Sequence, residues 1–221
     1  MQTATYPDYV NYLLSLGYEG SVKYLLEKYG QASLPYFEKD SYEDFLNGKV
    51  AAPAKNRVTR TIDGLYCHHV REDKGILLST PKAIKAFQYP YEWQLPENLV
   101  YCTLLEHLVL HAMIAIEQKD ASDQMRLGIG GYVNFMRPEL ISWFVQGNIP
   151  TIPWQRNCYN AISDMTIEDF RIIILRLDRL LIGNKVTSNA ELTQALIQWL
   201  DRTGTKPEET YDLAKKLKKG R

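Results

Sequence analysis

Residues 99–116, LVYCTLLEHLVLHAMIAI, constrain the fold of this chain more than any other stretch. The run Leu99-Val100-Tyr101-Cys102 has the apolar, β-branched and aromatic character of a short strand. Thr103 with Glu106 three residues later forms a capping box, which opens a helix at Leu104 that runs to about Gln118. Leu104, Leu105, Leu108, Val109, Leu110, Ala112, Met113, Ile114 and Ile116 cover nearly every side of that helix, and a helix apolar all round is buried. It is too short to span a bilayer, and Glu106, His107 and His111 interrupt it. His107 and His111 lie one turn apart on one face, with Cβ atoms roughly 6 Å apart. Two imidazoles so placed can grip one zinc-like ion at about 2.0–2.1 Å. Buried imidazoles need partners, and a single ion satisfies both.

The remaining two histidines of the chain, His68 and His69, are neighbours near the end of a second strand expected within Leu65–Val70. Adjacent strand residues point to opposite sides. One of the pair can therefore ligate an ion while the other acts as a base, since a histidine near its ordinary pKa of about 6.5 takes a proton from water at neutral pH. Asn98, which opens the partner strand, has the donors and acceptor to tie down the backbone of the loop between the strands. Glu72 and Asp73 follow the histidine pair; a solvated surface position is expected for them rather than a place among the ligands. Cys67 and Cys102 are expected as cross-strand neighbours packed as small apolar groups. With Cys158 they make three cysteines and no CxxC pair, which fits a reducing, cytoplasmic setting.

The order His-His, long loop, Asn, strand, then a helix with HxxxH resembles the HNH (ββα-metal) endonuclease motif, closest to that of the nuclease colicins. The resemblance rests on His68-His69 and on the stretch EN-LVYCTLLEH-LVLH, and covers about residues 60–117. The loop from His69 to Asn98, 29 residues, is longer than in the colicins, and the CxxC knuckles of many HNH proteins are absent. The resemblance implies an α+β fold with a ββα-metal core. It implies that His68, His107 and His111 hold one divalent ion (Zn, Ni, Mn or Mg), that His69 is the general base, and that Asn98 orients His69 by tying its loop. The implied reaction is hydrolysis of nucleic-acid phosphodiester bonds, DNA before RNA, in a phage, mobile-element or defence setting. Lys55, Arg57, Arg60 and Arg71 are the nearest basic side chains and are the candidates to contact phosphate. The rival expectation is a non-cutting module of the same core that binds nucleic acid or blocks a protein partner.

Three parts are expected: an N-terminal helical segment (1–50), the ββα core (51–118) and a C-terminal helical region (119–221), making the chain mostly helical. The flanking helices are candidates for a protein partner or a homo-oligomer. Lys+Arg and Asp+Glu balance at 26 each, so net charge names no partner. The balance is local: residues 51–90 carry seven basic side chains against three acidic ones, and residues 1–50 carry four against seven. Eight of the 15 tyrosines lie in the first fifty residues, where packing is expected of them rather than stacking on bases. An Asp63-Gly64 hairpin turn, a short helix at 81–87, a Gly-rich connecting loop at 120–137, helices from Met165 to Leu181 and from Ser188 to Trp199, and a basic helix at 207–219 complete the expectation. Trp143, Trp154 and Trp199 are expected to anchor the helical layer. The first residues lack a basic run, so a secretory leader is not expected, and neither is a membrane partner.

Overall fold

The computed structural model describes residues 5–120 and 125–203. The molecule is mostly helical around one two-stranded antiparallel sheet, β1 (Tyr66–His69) and β2 (Leu99–Cys102). Tyr66 lies opposite Cys102, and His69 opposite Leu99. A single residue, Thr103, separates β2 from helix α4 (Leu104–Glu117). Both halves of the expected capping box form: Thr103 Oγ1 accepts from Glu106 N at 3.3 Å, and Glu106 Oε2 accepts from Thr103 N at 2.7 Å. All four β2 residues are buried, Val100 among the main apolar core and Leu99 and Tyr101 in a separate cluster with Ala32 and Leu65.

Helix α1 (Tyr6–Tyr29) packs on α4 and β2. It breaks at Gly17, whose φ of 69° suits a residue without Cβ. The break frees Tyr18 N to donate to Glu117 Oε1 at 2.8 Å and turns the Tyr18 side chain toward β1. Glu106 is buried on the helix that α1 covers, so it must be paired. Tyr9 Oη, Lys28 Nζ and Tyr29 Oη all donate to its Oε1, at 2.6, 2.8 and 3.1 Å. One apolar core, from Val10 to Leu200, takes residues from the N-terminal segment, the sheet with α4, and the C-terminal helices. A smaller cluster (Phe37, Tyr42, Phe45, Leu78, Ile84, Tyr89) joins α2 (Lys39–Leu46) to α3 (Pro81–Phe87), the short helix expected at 81–87.

The C-terminal half departs from expectation at its start. Helix begins already at α5 (Ile129–Gly131) and runs through a π turn, Tyr132–Met136, into α6 (Arg137–Phe144). Two of the three glycines that suggested a loop, Gly128 and Gly131, are there for close packing: a Cβ on Gly128 would lie 2.5 Å from the His111 carbonyl oxygen. Then come α7 (Pro153–Asn160), α8 (Ile167–Gly183) and α9 (Asn189–Thr203). Ser188 caps α9 by accepting from Glu191 N, while the Glu191 carboxylate binds Arg126. Trp143 is buried and Trp199 half-buried, whereas Trp154 is 42 % exposed and anchors little. Asp63-Gly64 makes a 3-10 turn and not a hairpin between strands, because β1 pairs with β2 across the long loop. The basic segment 207–219 lies outside the described residues. No helix among the described residues is long and apolar enough to cross a membrane.

Candidate metal centre

Alternation along β1 sorts its side chains. Tyr66 and His68 face α4, where the Tyr66 ring lies 5.9 Å from the His107 ring and the His68 ring 5.0 and 5.3 Å from those of His107 and His111. Directly after β1 the chain tightens into a 3-10 turn, Val70–Asp73, which carries Glu72 back over the same face. The result is one cluster, His68, Glu72, His107 and His111, with one ligand atom from each lying within 4.8 Å of the others. Glu72, expected at the solvated surface, instead places Oε2 2.9 Å from His111 Nε2 and 3.6 Å from His68 Nδ1. Its side chain is only 17 % exposed.

The hydrogen bonds behind the rings fix which nitrogens face inward. Tyr18 Oη lies 2.6 Å from the Val70 carbonyl oxygen, which can only accept, so the hydroxyl proton goes there. His68 Nε2, 2.9 Å from that hydroxyl, must then be the N–H that donates to it, and Nδ1 turns its lone pair to the cluster. His111 Nδ1–H donates to the Gly128 carbonyl at 2.9 Å, which leaves Nε2 as a lone pair aimed at Glu72. A neutral imidazole lone pair 2.9 Å from a carboxylate oxygen is a repulsive contact unless a cation sits between them. His107 Nε2 lies 3.1 Å from His68 Nδ1, and His107 Nδ1 is buried without a partner.

Burial, the largest influence, lowers the His68 pKa to about 3 and that of His107 well below the ordinary value, so both rings are neutral ligands at pH 7. Burial pushes the Glu72 carboxyl up, but positive charge on the His111 side, a proton on Nε2 or a metal ion in its place, pulls it down further, so it stays ionised. Three imidazoles, each with a ring nitrogen turned inward, and one carboxylate make a donor set suited to a transition ion such as zinc. Hydrogen bonds from Tyr18 and Gly128 behind the ligands are the kind of support that holds metal-site histidines. The residues present therefore fit a divalent cation. Cys67 and Cys102 are not part of the cluster: they occupy opposite faces of the sheet, Cys67 opposite Tyr101 and Cys102 opposite Tyr66. Burial raises the Cys67 thiol to about 12 and that of Cys102 well above its usual range.

His69 points to the other face of β1. Its ring is 2 % exposed and lies 4.6 Å from the Tyr36 ring. Gln94 Nε2 donates to the Leu78 carbonyl, which turns Gln94 Oε1 toward His69 Nε2 at 3.0 Å. His69 therefore carries its proton on Nε2, and Nδ1 holds the lone pair. Burial lowers its pKa, against the charge of Glu72 and the Gln94 bond. Asn98 makes no hydrogen bond to His69; it donates from Nδ2 to the Glu92 carbonyl at 2.7 Å and accepts from Arg71 Nε at 2.9 Å. It thus ties the loop at Glu92 and the backbone just past His69 through Arg71. Lys55 Nζ sits 5.2 Å above the Tyr36 ring that covers His69. Arg60 is tied to Asp63 and to the Tyr29 carbonyl, and Arg57 is exposed.

On the α4 side, a cavity of about 540 Å³ opens against the donors. Glu72, His107 and His111 line one end, Leu104, Ile129 and Met136 form part of an apolar wall, and Glu139 of α6 lines it as well. Sequence reasoning singled out neither Glu72 as a ligand nor Glu139. The carboxylate four residues after His68 was the available signal for the first, and nothing local marks the second. Compared with known proteins, the chain matches no family model, no curated protein and no solved structure.

Proposed function

We propose that this protein is a metal-dependent hydrolase of nucleic-acid phosphodiester bonds, of the HNH (ββα-metal) kind, acting on DNA before RNA. The observation that carries the reading is the convergence of three imidazole nitrogens, His68 Nδ1 and the Nε2 atoms of His107 and His111, with Glu72 Oε2, at the junction of two antiparallel strands and the following helix. A divalent ion held by these residues would supply positive charge to a phosphate oxygen and to the leaving 3′-oxygen. His68, Glu72, His107 and His111 hold and orient it, and Tyr18 and Gly128 keep the rings in the ligating tautomer. His69 Nδ1 is the nitrogen left to accept the proton of the attacking water, with Gln94 holding Nε2–H. Lys55, above the ring that covers His69, and the exposed Arg57 are the phosphate contacts of the reading.

A second reading, a module that holds a metal and binds nucleic acid or a protein without cutting, is favoured by two observations. Glu72 completes a four-donor set, and closed four-donor sites are typical of structural zinc. The His69 ring is also covered by Tyr36 and Gln94. Incubation of the purified protein with supercoiled plasmid, single-stranded DNA and RNA, each with Mg²⁺, Mn²⁺, Ni²⁺ or Zn²⁺, separates the two. Cleavage that needs an added ion and stops with chelator supports the hydrolase. Tight metal with no cleavage of any substrate supports the module.

A further inference from the structure

In-line displacement at phosphorus places the attacking and leaving oxygens on opposite sides. A base and an acid serving the two oxygens must then come from different sides of the site. His69 belongs to the side of β1 turned away from α4. On the other side, the cavity against the donors holds one carboxyl that the metal cluster does not use. Glu139 lies in the first turn of α6 and lines that cavity together with His107, His111 and Glu72. Tyr66 lines the same cavity; its ring packs on His107 and its buried hydroxyl lies against the Cys158 thiol. Among the described residues no ion pair and no hydrogen bond holds the Glu139 carboxyl, although Arg137 is only two residues away: Arg137 turns Nε and Nη2 to Asp178, at 2.9 and 2.8 Å, and its Nη1 is buried without a partner. A half-buried carboxyl that lines the cavity of the metal cluster and has no partner of its own is placed for proton transfer rather than for stability.

Resting on the hydrolase reading, we propose that Glu139 is the general acid of the site, which protonates the leaving 3′-oxygen from the cavity side. The water oxygen bonds to phosphorus as its proton passes to the base. The bond from phosphorus to the 3′-oxygen breaks, and that oxygen takes the Glu139 proton. The products are a 5′-phosphate and a 3′-hydroxyl, and the carboxyl is reloaded from solvent. Burial alone raises the Glu139 pKa to about 7, so a protonated fraction is present at neutral pH. The other titratable groups around it are Tyr66, Cys158, Arg126 and Glu191, besides the metal ligands. Burial keeps Tyr66 and Cys158 neutral across that range, and Arg126 and Glu191 pair with each other.

The test uses the metal-loaded full chain, Glu139→Gln and Glu139→Asp, and two substrates: plasmid DNA, and bis(4-nitrophenyl) phosphate, whose nitrophenolate departs without a proton. Glu139→Gln is expected to keep its metal, to cut DNA about 10²–10⁴-fold more slowly, and to cut the nitrophenyl ester within a few-fold of the unmodified chain. Glu139→Asp should recover part of the DNA activity. A second readout needs no turnover. A carboxyl whose folded pKa lies above its unfolded value contributes stability below the unfolded value and loses it as pH rises through the folded one. The urea midpoint of Glu139→Gln should therefore gain on that of the unmodified chain as pH rises from about 4.5 to 7. Equal slowing on both substrates, or none on DNA, overturns the acid role while the hydrolase reading stands. Absence of cleavage by the unmodified chain on either substrate overturns the hydrolase reading and the acid role with it.

Discussion

His68 and His69 are adjacent, identical and equally buried, and the two faces of β1 make them different groups. On the α4 face, His68 Nδ1 meets groups that need a cation: two more imidazoles and a carboxylate. On the other face, His69 meets groups that need none: the amide of Gln94, itself held by Leu78, and the Tyr36 ring. The alternation of a strand thus gives two neighbouring imidazoles opposite chemical settings within two residues. The surroundings differ in origin too. The α4 face is built by β1, the turn after it and α4, with Tyr18 of α1 behind. The other face is covered by residues 31–58 and by the long inter-strand loop.

The largest expected effect belongs to the metal face. The double substitution His107→Ala, His111→Ala should take elemental metal content from about one ion per chain to near zero. A ligand bound only by the folded state at a thousand times its Kd stabilises by about 4 kcal/mol, and that gain should vanish from metal-dependent melting. Equal metal content in the double variant and the unmodified chain would remove the site.

Next in size is the contrast between the neighbours. His68→Ala should lose the metal. His69→Ala should keep it, while leaving Gln94 Oε1 unpaired in the interior, a cost of about 1–3 kcal/mol in denaturant unfolding. If His69 is the base, cleavage by His69→Ala falls by about 10²–10⁴ with metal content unchanged. Cleavage by His69→Ala at the unmodified rate would assign that face to structure alone.

The parts of this comparison that were legible in the sequence are local ones. Leu99–Cys102 and the helix from Leu104 follow from strand character, the capping box and all-round apolarity, and both ends fall where the structure has them. His107 and His111 meet because helical spacing alone brings them together. Glu72 was not legible because its position depends on the 3-10 turn Val70–Asp73, whose sequence VRED reads equally well as an exposed loop. The helical start at Ile129 was hidden for a related reason. Gly128, Gly130 and Gly131 look like loop residues, while two of them owe their lack of side chain to contact with α4, a long-range fact. The covering of His69 by Tyr36 and Gln94 joins segments 33 and 25 residues away, and no local pattern announces it.

A smaller effect tests those glycines. A Cβ on Gly131 would lie 2.5 Å from both His111 Cε1 and Nδ1. Gly131→Ala must therefore push the ring or the helix aside, disturbing the Nδ1–H bond to Gly128 that aims Nε2 inward. Loss of such support typically costs about 10–100-fold in metal affinity. Competition with a metal-sensitive dye measures it, with Gly130→Ala as the control, since nothing lies within 4 Å of a Cβ there. Equal affinities in the two variants would mean that the His111 ring can shift without consequence.

The smallest expected effect decides which face meets nucleic acid. Arg57 is exposed, and Lys55 lies over the Tyr36 ring, its ammonium donating only to the Tyr36 hydroxyl at 3.3 Å among the described residues, whereas Arg60 and Arg71 are committed to Asp63 and Asn98. Arg126, at the cavity, is paired with Glu191. Each phosphate neutralised on duplex DNA contributes about −0.9 to the slope of log K against log salt. If DNA lies along the His69 face, the double substitution Lys55→Ala, Arg57→Ala should flatten the slope by about two units. Arg126→Ala should then leave it unchanged. Surface substitutions of this kind shift stability by about 0.5 kcal/mol or less, so the binding change would not be a folding effect. Isotherms from low to high salt read the slope directly. A flattened slope in Arg126→Ala with none in the double variant would put the flanking phosphates over the cavity, beside the metal cluster and Glu139, and would leave Lys55 and Arg57 off the nucleic acid.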